Sequence, residues 1–244
     1  MNINTKNFID FIKKATMNYS IETVRMNFTK EGRVKTRMTT SSHDAIVILD
    51  IENNILDEND ELEFNFSEPS KNIVPLLKLF NEHSKIKIND SKIYINDGNQ
   101  NTKIFFCSPR IVNIFDREFA DDFDYFFEIY MSNIITEILS IKKIGQRFGK
   151  IYFTVKNEEL FIESTDKSNR YSNVLSYKIY KVNGTDDLEM AINYKNFINL
   201  MSIIGENIED FILKLSYDKE SERGLVTVTS KDYCEKYFIQ TCEL

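Results

Sequence analysis

Four short stretches of the chain share one order of apolar and polar positions. They begin Lys6-Asn7-Phe8-Ile9, Lys71-Asn72-Ile73-Val74, Ser132-Asn133-Ile134-Ile135 and Lys195-Asn196-Phe197-Ile198, and their asparagines are 65, 61 and 63 residues apart. Apolar residues follow each Asn at one, two, five and eight positions: Phe8, Ile9, Ile12 and Ala15; Ile73, Val74, Leu77 and Phe80; Ile134, Ile135, Ile138 and Ile141; Phe197, Ile198, Met201 and Ile204. At about 100° per residue these positions share one face of an α-helix, so each stretch predicts a short amphipathic helix. Pro75 falls close enough to the start of the second that only amides without intrahelical partners would be lost, and a helix is expected across residues 70–80.

Between the helices the period changes from 3.6 to 2. Alternating runs at 23–29, 34–38 and 45–50 follow the first helix, and 85–89, 92–96 and 102–106 the second. Runs at 150–155, 160–164 and 174–182 follow the third, and 211–216, 225–229 and 233–239 the fourth. A strand also precedes the second, third and fourth helices, at 62–66, 125–130 and 188–192. Pairs such as Glu31-Gly32 and Asp97-Gly98 suit tight hairpins. The repeating unit is strand, helix and three strands, about 61 residues long, four times over in 244 residues. The fold class is α+β, with two similar domains of two units each and a sheet core carrying two helices on one face. Residues 1–107 and 125–244 form the domains; residues 108–124, with Pro109 and no steady period, read as an extended connector whose apolar residues lie against the protein.

Charge changes this picture. The chain holds 31 Lys and Arg against 38 Asp and Glu, a net −7 that as a whole argues against nucleic acid. Resolved onto the repeats, the four helical windows carry +2, +2, +2 and +1, so the rest of the chain carries −14. The basic residues are Lys6, Lys13 and Lys14; Lys71 and Lys78; Lys142, Lys143 and Arg147; and Lys195. Lysine is a common solvated helix residue, but its return on the face opposite the apolar stripe predicts a basic strip suited to duplex phosphates.

With the elements and charges in this order, the sequence resembles the DNA sliding clamps, namely proliferating cell nuclear antigen and the polymerase clamps of large bacteriophages. Ser41-Ser42-His43 followed by residues 45–49 is similar to the loop and strand of the eukaryotic clamp, residues 188–204 to the strand and helix opening its last quarter, and Lys236-Tyr237-Phe238-Ile239 to its terminal strand. The N-terminal strand is shortened to residues 1–3, and the tail ends five residues after Ile239. The resemblance implies the clamp fold: three copies forming a homotrimeric ring, sheets outside and helices lining a hole for nonspecific duplex DNA. It also implies a tethered DNA polymerase, an ATP-dependent clamp loader, and a docking site for partner peptides. By position that site holds Ser42, His43, Asp44, Ile111, Ile114, Phe115, Phe238 and Gln240. Edge strands within residues 79–106 and 174–182 are expected to close the ring.

Enzyme chemistry finds little support. Ser42-His43-Asp44 is contiguous and cannot align as a triad, and there is no phosphate-binding or dinucleotide fingerprint. Residues 57–61 are acidic, but the sixth position of a calcium loop is Leu62 rather than Gly. Cys107, Cys234 and Cys242 have no paired spacing, so no metal site, cofactor or disulfide framework is expected. No run approaches the roughly 18 apolar residues of a membrane span, no signal peptide opens the chain, and a reducing cytoplasm is the expected compartment, the host's if the AT-rich bias in Asn, Ile and Lys is viral. Two other readings stay open: a clamp-like replication or late-transcription factor that forms no ring, and a β-rich interaction protein with no DNA role.

Overall fold

Strand pairing joins the quarters crosswise, which periodicity along the chain does not specify. The computed structural model describes all residues except 118–122, 145–148, 168, 170–171, 183–186 and 243–244. The chain divides into two compact units, Met1–Arg117 and Glu118–Leu244. In the first, β1 (Asn2–Asn4) leads into α1 (Thr5–Ala15), β2 (Thr23–Phe28), β3 (Arg33–Thr39) and β4 (Ala45–Glu52). The next quarter runs through β5 (Leu62–Ser67), α2 (Pro69–Asn72), α3 (Val74–Leu77), β6 (His83–Asn89), β7 (Lys92–Asn96) and β8 (Asn101–Phe105). β1 pairs with β6 and β5 with β2, so each quarter gives its opening strand to the three strands of the other. The unit therefore has two sheets, ordered β5-β2-β3-β4 and β1-β6-β7-β8.

The second unit repeats the exchange. β9 (Tyr125–Tyr130), α4 (Ile135–Ile144), β10 (Lys150–Lys156), β11 (Glu159–Ser164) and β12 (Leu175–Lys181) precede β13 (Leu188–Asn193), α5 (Tyr194–Ile204), β14 (Phe211–Asp218), β15 (Arg223–Ser230) and β16 (Glu235–Gln240). β9 pairs with β14 and β13 with β10. In-register rows such as Phe127, Leu215, Val226 and Ile239 run across four strands and are all buried. Burying each such side chain stabilises the fold by about 1.5–3 kcal/mol before entropy is counted. Gly224 marks a close approach, since a Cβ there would stand 2.7 Å from the Met190 sulfur and 2.9 Å from the Thr241 methyl.

The apolar stripe of every helix is buried, apart from Ile135 and Ile198, which share one repeat position and are half-buried. In the first unit Phe8 of α1 meets Phe66 of β5, and Phe66 and Phe64 flank Phe106 at 5.6 and 5.3 Å between ring centres. The recurring Asn is not the helix cap. Asn4 and Asn193 cap α1 and α5 by accepting from the Asn7 and Lys195 amides. The Asn7 and Asn72 side chains instead donate to the Asn54 and Ser67 carbonyls, tying α1 to the chain that follows β4 and the end of α2 to the end of β5. The continuous helix expected over residues 70–80 is overturned: two single turns, α2 and α3, meet at Ile73 (φ −119°, ψ −56°). Pro75 has no N–H for the Lys71 carbonyl and its ring crowds that carbonyl, so the chain breaks two residues before it.

Candidate functional site

Each unit brings the polar faces of its helices to one surface. In the first, Lys6 and Lys13 of α1 and Lys78 beyond α3 line a shared groove of about 420 Å3 with Asp10 and Glu82. Lys6 and Lys78 are exposed, and Lys13 stands 3.4 Å from Asp10. Lys14 is half-buried at the end of α1, where a cation also offsets the helix dipole. Lys71 is exposed and paired with Glu68, whose hydrogen bond and charge hold its ammonium above the usual lysine range and keep it protonated. In the second unit the Tyr194 hydroxyl donates to the Lys142 carbonyl at 2.7 Å, fastening the end of α4 to the start of α5. Lys143 and Lys195, each next in sequence to one partner of this bond, are exposed, and Lys142 is half-buried. Arg147 lies outside the described residues.

The expected partner residues fall into two groups. Ser42, His43 and Asp44 form the β3–β4 turn: His43 has φ +60°, and Asp44 accepts from Thr40 at 2.6 Å and Ser42 at 2.8 Å. The connector reaches the same end of β3. The Thr39 amide donates to the Asn113 carbonyl and the Phe115 amide to the Arg37 carbonyl, Ile114 bridges Met38, and the Arg37 guanidinium lies 5.8 Å from the Phe115 ring. β2 pairs with β3 only through Asn27 and Phe28, so the connector takes the place β2 leaves open. Ile111 is exposed beside it.

Phe238 and Gln240 lie on β16 of the second unit. Phe238 lines a groove of about 500 Å3 with Phe123, Phe126, Lys214 and Tyr233. Lys214 is 2.9 Å from Glu128 and lies under 6 Å from the Phe126 and Tyr233 ring centres. Sequence reasoning did not single out these aromatics. The signal was Phe126, an aromatic where the β9 alternation calls for a polar residue.

The strands at the ends of these sheets include β8 in the first unit and β12 in the second. Leu79 and Phe105 are exposed at 62% and 64% near one edge, and Val174 at 60%, with Tyr180 and Leu139, near the other. The acid excess outside the helices does not extend to β6, β7 and β8, whose exposed face carries four lysines and no acid. Among the described residues no cluster of His, Cys, Asp and Glu could hold a metal, and no helix is long and apolar enough to cross a membrane.

Solved structures give this arrangement its fold. The DNA polymerase III β chain of Streptococcus pneumoniae aligns with all of this chain at a TM-score of 0.65 and 12% identity. The A. fulgidus PCNA bound to the C-terminal region of FEN-1 aligns with 100% of this chain and 98% of its own at 0.64 and 14%. The PCNA2–PCNA3 complex of Sulfolobus tokodaii aligns over 99% of both chains at 0.60 and 13%. The Helicobacter pylori β clamp bound to a DNA ligase peptide gives 0.65 and 15%. The chain spans 64% of the S. pneumoniae protein's length. No family model and no curated protein matches the sequence. The chain has the fold of the DNA sliding clamps.

Proposed function

We propose that three copies of the chain close head to tail into a ring around duplex DNA, and that the ring tethers a DNA polymerase to its template. The observation that carries this reading is the gathering of helix lysines on one surface of each unit within a clamp fold. A basic lining of exposed and half-buried lysines holds phosphates weakly and lets the ring slide. The free edges of β8 and β12, beside exposed Leu79 and Tyr180 respectively, are the surfaces that join neighbours. The test is retention on DNA. Loaded by its ATP-dependent loader onto a nicked circular plasmid, the protein should co-elute with the circle and be released when one restriction cut gives it ends. Equal retention on circle and linear DNA would exclude encirclement.

Partner peptides are assigned to the connector edge at Ile114 and Phe115 with the β3–β4 turn, and to the Phe238 groove. The ligase peptide on the H. pylori clamp and the FEN-1 region on the A. fulgidus protein support docking of this kind. Replacing Ile114 and Phe115 by Ser removes apolar side chains and leaves the backbone bonds to Arg37 and Thr39. We expect polymerase binding by surface plasmon resonance to weaken about tenfold, the effect of roughly 1.4 kcal/mol. An unchanged affinity would remove the connector from the docking site.

A further inference from the structure

We propose that the exposed face of β6, β7 and β8 is a platform for single-stranded DNA, separate from the helix faces. Ile86, Ile93, Ile95 and Ile104 bury one face of these strands. The other presents Lys85 and Lys87 from β6, Lys92 and Tyr94 from β7, and Lys103 and Phe105 from β8. Pairing sets the pattern: Lys87 is opposite Tyr94, Tyr94 opposite Lys103, and Lys92 opposite Phe105. Tyr94 and Phe105 are thus diagonal neighbours, about 7–8 Å apart between strands, and Lys92 and Lys103 occupy the other diagonal of the same square.

The Lys92 ammonium lies 5.1 Å from the Tyr94 ring centre and 5.3 Å from that of Phe105, and Lys103 lies 5.6 Å from Tyr94. The hydrogen bond from Lys92, with the charges of Lys92 and Lys103, holds the Tyr94 phenol below its usual range. None of the four lysines has an ion-pair partner among the described residues.

The matching sheet of the second unit is built differently. There Lys178 is paired with Glu159, Lys156 with Glu163 and Lys167 with Glu189. In a chain of net −7, four unpaired lysines on one sheet face with two aromatics between them select a polyanion that also offers flat rings. Unstacked bases on aromatic side chains, with phosphates tracked by lysines, meet both conditions. An acidic polypeptide would use the charge and leave the rings idle, and a duplex hides its base faces. The choice of DNA over RNA rests on the proposed function, which brings DNA to this protein; the platform itself does not require the ring.

Fluorescence anisotropy with labelled (dT)20 at 50 mM salt tests the proposal on the full chain. The protein should bind with a log–log salt slope of about −3, from four lysines at about 0.7 each. Lys87→Gln with Lys103→Gln should weaken binding at least tenfold and halve that slope. Tyr94→Ala should cost at least fivefold, with Tyr94→Phe within twofold of the unaltered protein. Binding should survive Lys13→Glu, Lys78→Glu and Lys143→Glu together. Absence of (dT)20 binding would overturn the platform, as would loss in the helix variant with retention in the sheet variant. Competition by poly-glutamate with no effect of Tyr94→Ala would make the face an acidic-polypeptide site, and tighter binding of (rU)20 would overturn the assignment to DNA. A strictly monomeric chain that still bound (dT)20 would sink the ring and leave this platform standing.

Discussion

Replacing Lys13, Lys78 and Lys143 together by Glu should reduce primer extension on a singly primed circle to the product lengths seen with polymerase alone. Each exchange changes the local charge by two, so the helix windows fall from +7 to +1 per chain and, in three copies, from +21 to +3. Phosphate attraction inside a ring is the sum of many weak screened terms, none essential, so a single Lys→Glu exchange should shorten products only two- to threefold. Three exchanges on three helices remove most of the sum and add repulsion. Lys78 and Lys143 are exposed and Lys13 is half-buried, its one described ion pair being to Asp10 at 3.4 Å, worth about 0–1 kcal/mol. Folding, followed by circular dichroism, and assembly mass should therefore stay as they were. Raising salt should shorten the products of the unaltered protein in the same way, because counterions compete for the same contacts. Full-length synthesis by the triple variant would remove the helices from the DNA surface.

What the sequence discloses about this fold follows from where each constraint acts. Phe8, Ile12, Leu77, Ile138 and Met201 report the helices because side-chain period is local, and the strands appear within one to three residues of their patterned runs for the same reason. The exchange of β1 and β5 between quarters is not legible, since pairing is a choice among strands of similar pattern. Pro75 was visible, but whether it ends a helix or opens one depends on the Lys71 carbonyl that its ring meets. The site divides similarly. The helix lysines were readable as a recurring face, whereas the whole-chain charge concealed both their grouping and the basic exterior of β6, β7 and β8. Phe238 was reached by resemblance; its neighbours Phe126 and Tyr233 come from distant positions, and only β9, β14, β15 and β16 lying side by side bring them together.

If the proposed ring forms, substituting Asp for Tyr180 should convert a particle of three chains, three times 28.7 kDa, into one of 28.7 kDa by mass photometry, and Leu79→Asp should do the same from the β8 edge. Both side chains are exposed in the isolated chain, Leu79 at 62% and Tyr180 at 45%, so the fold tolerates the change. At a joint between edge strands the Asp would lose an apolar contact and leave a carboxylate without a partner, at a cost of several kcal/mol at each joint. The two variants mixed together separate the possible geometries. The Leu79→Asp chain keeps an intact β12 edge and the Tyr180→Asp chain an intact β8 edge. If unlike edges join, the mixture contains one sound joint and should give a 1:1 dimer that cannot close further. If like edges join, each variant should dimerise alone through its unaltered edge, and mixing should add nothing. Particles of three chains in both single variants would place the joints elsewhere and remove β8 and β12 from assembly.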